Sequence, residues 1–227
     1  MTTIDALPES SPARRIRRMA ERQVVDRDAL FELLDEQLVG HLAVVVEGVP
    51  LVVPTAYARV GEEILLHGST GSGFVLRAVA DRAPVAFAIT SLDGVVVARS
   101  LYDSSMNYRS AVVYGVLERV DDPAAALDAL GDRLIPGRGA EVRANTRKEV
   151  AGTAVLRLAL DDVVMKARAG GPSEADDDGE DREVWAGVVP LAPAWGTPIP
   201  SGSTPATLPV PGSVRRIGTR GGRLAEI

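Results

Sequence analysis

Three apolar runs of strand length stand back to back between residues 41 and 67, joined by very short connections. HLAVVVE ends at Gly48, VPLVVPTAYARV ends at Gly61, and EILLH ends at His67. Connections that short leave no room for a crossover helix, so the runs pair as an antiparallel meander. Pro54 in the second run marks a bulge or an edge position, because proline has no N–H for a ladder.

The same alternation continues downstream. PVAFAITSL and GVVVARS read as two strands with a hairpin turn at Asp93-Gly94. YRSAVVYGVLERV is a long strand in which Gly115 marks a bulge or bend. TAVLRLALDDVVMKAR closes the regular part, and VWAGVVPL is a short strand-like island. Helical spacing is confined to three stretches. Residues 26–38 carry Leu30, Leu33, Leu34 and Leu38 on one face, with Asp26 or Asp28 as cap and Gly40 as stop. Residues 72–80 place Phe74, Val75 and Val79 inward. DPAAALDALGDRL has Pro123 in its first turn and Asp121 or Asp122 as cap. Six or seven closely spaced strands with helices at the edges predict a mainly β fold, an antiparallel barrel with flanking helices.

Residues 1–13 read as a flexible arm and 14–191 as one domain with an acidic loop at 171–182. Seven of the 15 prolines lie in 190–211, and the 192–227 tail has no apolar periodicity, so it reads as disordered. The absence of cysteine excludes disulfides, thiolate nucleophiles and thiolate-ligated metals. The net charge of −6 argues against a nucleic-acid partner. Arg14, Arg15, Arg17, Arg18 and Arg22 then read as a solvated face or an arm that pairs with acidic surface. No secretory signal and no apolar run near ~20 residues are present, which predicts a cytoplasmic protein with no membrane partner.

The chemistry concentrates in two segments. ILLHGSTGSGF, residues 64–74, turns from a strand into a helix through glycines and hydroxyls. Such a turn either caps a helix or offers N–H groups and the Ser69, Thr70 and Ser72 hydroxyls to a phosphate. It matches neither a Walker loop nor a nucleophile elbow. His67 and His41 are the only histidines. The second segment, ARSLYDSSMNYRSAVVYG, sets Ser104, Ser105, Asn107 and Arg109 between apolar strands. It reads as a self-satisfied polar loop or as an anion site at Arg109.

HGSTGS at 67–72 and SMNYRS at 105–110, in that order within this strand series, resemble the pyridoxamine 5'-phosphate oxidase-like flavin-binding split-barrel superfamily. The likeness is to its nitroimidazole-resistance-type, flavin-nucleotide-binding branch and runs from Arg14 to Leu191. It implies a six-stranded antiparallel split β-barrel that forms a homodimer and binds FMN. Ser69, Thr70 and Ser72 would hold the phosphate, and Asn107, Arg109 and Ser110 would line the flavin. Trp185 would cover the ring or the substrate pocket, and His67 would serve catalysis as proton donor or substrate contact. The implied activity is flavin-dependent reduction of a small molecule, such as a nitro or quinone compound. One departure matters. The oxidases proper follow their phosphate serine with a basic pair, whereas Gly73 and Phe74 follow Ser72 here. The grip must then come from hydroxyls, amides and Arg77 or Arg109. That leaves FAD, deazaflavin or heme as alternative cofactors, and non-catalytic binding or storage as the alternative function.

Overall fold

A computed structural model describes residues 7, 14, 16–71, 73–173 and 183–219, with Phe74 defined in its backbone alone. The expected acidic loop therefore lies largely outside the described residues, as do the N-terminal arm apart from Leu7, and Ser72.

After a two-residue strand β1 (Gln23–Val24), helix α1 spans Arg27–Glu36. The Asp26 carboxylate accepts the Asp28 N–H at 3.0 Å and caps it, and Leu30, Leu33 and Leu34 are fully buried. The helix stops at Gln37, short of the expected Gly40. Gly40 instead lies within β2 (Val39–Val46), where a Cβ would stand 2.2 Å from the Phe87 ring. Its role is close packing, which the stop-signal reading could not distinguish.

The meander forms as expected from β2, β3 (Val49–Val60) and β4 (Glu63–Ser69). The two-residue loop Glu47-Gly48 has φ of 53° and 79°, the pattern of a type I′ hairpin turn. β3 runs unbroken through Pro54. β4 pairs with Tyr57–Val60, so Pro54 lies beyond it, where β2 is the paired neighbour. A missing N–H costs little there.

Helix α2 (Gly73–Ala80) follows, and then β5 (Pro84–Val97). β5 passes straight through Asp93-Gly94, which corrects the expected hairpin. Both residues are held by neighbours that the local pattern does not reveal. Gly94 pairs with Pro190, and a Cβ there would meet the Val189 carbonyl at 2.8 Å. β6 (Ser105–Val116) and β7 (Glu118–Arg119) are separated at buried Leu117. Gly115 is explained by closeness to Leu158 Cδ1, 2.8 Å from a would-be Cβ.

Helix α3 (Pro123–Leu134) begins at Pro123, and Asp122 accepts the Ala124 and Ala125 N–H groups. A short capped helix α4 (Arg147–Ala151) leads into β8 (Thr153–Ala159) and β9 (Asp162–Arg168). β10 (Gly187–Pro190) pairs antiparallel with β5. The tail also holds regular structure: α5 (Gly212–Ile217) corrects the disorder expected across 192–219. Buried Ser213 is bound by Glu141, and Arg216 donates to the Pro136 carbonyl. These are long-range contacts, so sequence periodicity carries no trace of them.

The chain divides into two compact units. One takes the described residues up to Gln37 with Ala88–Val113 and Asp162–Ala192; its strand order is β1-β9-β6-β5, with β10 on β5. In it Arg14 pairs with Asp162, as the acidic-surface reading of the arginine segment expected. The other takes Leu38–Phe87, Tyr114–Asp161 and the residues from Pro193, with order β2-β3-β4-β8-β7. There α3 covers the sheet over a core of Ala58, Leu65, Ala126, Leu130 and Val155. Every strand pair whose register is defined is antiparallel, so the mainly β class with flanking helices holds. Among the described residues no helix is long and apolar enough to cross a membrane.

Candidate functional site

The eight residues expected at the site divide between the units. His67, Ser69 and Thr70 belong to the β4 unit; Asn107, Arg109, Ser110 and Trp185 belong to the β6 unit, and Ser72 lies outside the described residues.

At the end of β4 the Ser69 hydroxyl accepts the Gly71 N–H at 3.1 Å. The Thr70 N–H and hydroxyl both donate to the Gly152 carbonyl at 3.2 Å. Thr70 therefore fixes the turn, and Ser69 keeps its own proton to donate outward. A Cβ on Gly71 would come no closer than 3.5 Å to Ser69 Oγ, and one on Gly73 no closer than 4.0 Å to Arg77 Nη2. The turn is thus an open cradle of exposed residues at the start of α2, with a guanidinium beside it. Arg77 Nε donates to the Gly73 carbonyl at 3.2 Å, and Nη1 lies 2.9 Å from Glu47. That ion pair is exposed at both ends and weak, so an anion can compete for the cation. Arg77 thus sets a cation one helical turn after Gly73. These observations fit a phosphate.

His67 is exposed on β4. It lines an open, mostly apolar cleft of about 220 Å³ with Leu38, Ala56, Tyr57 and four residues of α3: Leu127, Leu130, Gly131 and Leu134. Sequence reading found the histidine but missed the helix beside it, because the two meet only through the sheet.

In the other unit Arg109 is a shared cation. Its guanidinium bonds Asp93 at 3.0 and 3.1 Å, Ser91 at 3.4 Å and Glu36 at 2.7 Å. The hydrogen bond to Asp93 raises the Arg109 pKa further above its usual range, and Glu36 adds to it against the cost of burial. Two carboxylates already neutralise this arginine, so an anion would have to displace one. Burial would raise the Asp93 carboxyl, but hydrogen bonds from Arg109 and Ser91 outweigh it and hold the pKa below 3.8. A depressed carboxylate stabilises the fold above its unfolded pKa and stops doing so as pH falls through its folded value. Asp93→Asn is expected to cost about 1 kcal/mol at neutral pH, a figure reduced for partial exposure. The gap from the unmodified protein should close as pH falls below about 4, through the depressed pKa of the folded state. Denaturant melts across that range check it; a gap independent of pH would contradict the assignment.

Asn107 is also engaged. Its amide donates to the Gly170 carbonyl at 3.1 Å and its oxygen accepts from Arg168 at 2.6 Å, which ties β6 to the end of β9. Ser110 is half-buried on β6. Trp185 is 62% exposed and folds back over Gly187, where a Cβ would meet its ring at 2.9 Å. Glu36, Asp93 and Arg168, the partners that occupy Arg109 and Asn107, carried no signal in the local sequence.

An antiparallel sheet with flanking helices carries a hydroxyl-and-glycine turn after its third meander strand and a histidine beside an apolar cleft. The family model for pyridoxamine 5'-phosphate oxidase matches residues 26–167. The chain is 46% identical to the FAD and heme binding protein from Mycobacterium smegmatis, over 87% of this chain and 97% of that one, with TM-score 0.82. It is 29% identical to the flavocytochrome Anf3 from Azotobacter vinelandii, over 92% and 98%, with TM-score 0.85. A candidate 5-nitroimidazole antibiotic resistance protein from Bacteroides thetaiotaomicron shares the fold at 18% identity and TM-score 0.52, over 63% and 85%. No curated protein sequence matches. The chain belongs to the pyridoxamine 5'-phosphate oxidase-like family of flavin-binding split barrels.

Proposed function

We propose that this protein is a redox protein that binds both a flavin nucleotide and heme, and that the nucleotide is FAD in preference to the FMN implied by the sequence resemblance. The observation that carries the reading is the 46% identity, across nearly the whole of both chains, to a protein that binds FAD and heme. The site agrees with it. Ser69, the turn amides and Arg77 hold the flavin's phosphate end; Ser72 completes the set expected there. Asn107, Ser110 and Trp185 line the flavin, and Arg109 orders that strand through Asp93 and Glu36.

His67 would hold the heme. Of the two histidines it is the one that stands beside the apolar wall, and the chain has no cysteine to compete. At about 220 Å³ the cleft is smaller than a typical cavity for a drug-sized ligand, so it gives the group one wall and no enclosure. When bound, the two groups supply two-electron and one-electron chemistry to the same protein. The protein acts as a homodimer in the cytoplasm.

A second reading keeps flavin alone and makes His67 the proton donor for reduction of a small nitro or quinone compound. The exposure of His67 at an open cleft favours it. Binding or storage without turnover is its non-catalytic counterpart.

The purified protein is expected to show both flavin absorbance and a heme Soret band, and to release FAD on denaturation. Released FMN or deazaflavin would overturn the FAD assignment, and no Soret band after addition of heme would overturn the two-cofactor reading. Arg77→Ala should weaken flavin binding about tenfold, the loss of one charge-assisted contact. Fluorescence titration of the flavin measures it.

A further inference from the structure

The row Val155–His67 across β8 and β4 extends, one step beyond the Leu66–Tyr57 pair, to Ala56 on β3 and its partner Val39 on β2. Paired residues of antiparallel strands share a face, so these four lie on one side of the sheet. Helix α3 covers one end of the row and not the other. Val155 is 3% exposed and Val39 is 50% exposed. The coverage fails at His67 and Ala56, the residues that line the cleft.

Beyond that point the same face of the β2–β3 hairpin carries Ala43, Val45, Pro50, Val52 and Pro54. Val45 is 58% and Val52 62% exposed, and His41 is the single polar side chain on this stretch. It is an apolar sheet face without a carboxylate, on a chain of net charge −6. An uncovered apolar face of this kind marks an interaction surface.

The same unit carries a second uncovered apolar surface. Between β10 and α5 the chain runs through 192–210 without regular structure. Along it Trp195, Ile199 and Leu208 are 50%, 93% and 62% exposed. Six prolines between 193 and 211 restrict its backbone, and two turns close it locally where the Thr204 and Leu208 N–H groups donate to the Ser201 and Pro205 carbonyls. Neither surface covers the other within one chain, since both are exposed.

We propose that the 192–210 arm of one copy lies across the β2–β3 face of a second copy, reciprocally. The arm also closes the open side of the second copy's His67 cleft. Each surface supplies what the other lacks, and a two-fold exchange leaves no arm or face unmatched. Two copies that each carry −6 repel in general, and this face is one where they meet without opposed carboxylates. The inference rests on the homodimer reading above and names the surfaces that make it.

The absence of native cysteine allows a direct test. Full-length Val52→Cys and Ile199→Cys proteins are mixed and oxidised, with each alone as control. The expected result is a disulfide-linked pair of twice 23.9 kDa in the mixture and little in either control. Trp195→Ser/Ile199→Ser/Leu208→Ser should raise the dimer dissociation constant at least tenfold by light scattering; all three side chains are exposed, so folding is unaffected. A dimer that survives the triple change and gives no mixed disulfide keeps the dimer and overturns the arm. Linkage of Val52→Cys to itself also overturns it. A monomer at every concentration overturns the arm and the dimer together.

Discussion

His67→Ala is expected to abolish the Soret band of heme-loaded protein while leaving its flavin content unchanged. The chain offers two imidazoles and no thiolate, and a histidine would be the side chain to hold the heme iron. His41 sits on the open β2 face opposite Pro54, whereas His67 lines the cleft against α3. His41→Ala should therefore retain heme. Because His67 is exposed, its loss leaves no cavity and should not change stability by more than about 0.5 kcal/mol. Free imidazole should restore the band in His67→Ala, which a merely structural histidine would not allow. Heme retained by His67→Ala and lost by His41→Ala would reverse the assignment. If heme never binds but His67→Ala lowers turnover with a nitro or quinone acceptor, the proton-donor reading stands instead.

Gly40→Val is the stability change with the largest expected effect. A Cβ at Gly40 would lie 2.2 and 2.4 Å from two atoms of the Phe87 ring. That ring has no room to retreat, being fully buried and set edge-to-face on Tyr57 with centroids 5.3 Å apart. Overpacking of this kind costs about 3 kcal/mol, which lowers Tm by roughly 6–12 °C in a chain of this size. Combining Gly40→Val with Phe87→Leu should cost less than the sum of the two single changes, because the smaller side chain opens the space that valine needs. Strict additivity would show that the two sites do not share that space.

These two positions show how differently the residues were legible. His67, one of two histidines, reads by itself as a structural residue at a strand end; the HGSTGS motif and its family likeness are what mark it as a site residue. Gly40 was visible only as a helix stop, and it is a packing glycine inside a strand. Asp93-Gly94 looked like a hairpin for the same reason: the local signal is identical whether a turn or a neighbouring backbone demands the glycine. Arg109 read as part of a self-satisfied polar loop or as an anion site, and Asp93 and Glu36 come from distant segments to neutralise it. Arg77 was one of two candidates for the missing cation, and its contact with Gly73 sets it beside the turn.

The sequence by itself determined the meander, the capped helices, the absence of thiol chemistry and the family likeness. Each depends on residues near one another in the chain: short turns, periodicity, caps and contiguous motifs. Tertiary structure alone decided the single long β5, the anchoring of α5 by Glu141, the α3 wall of the His67 cleft and the commitment of Arg109. Each of these depends on groups that meet across many residues, where neither spacing nor composition records the contact.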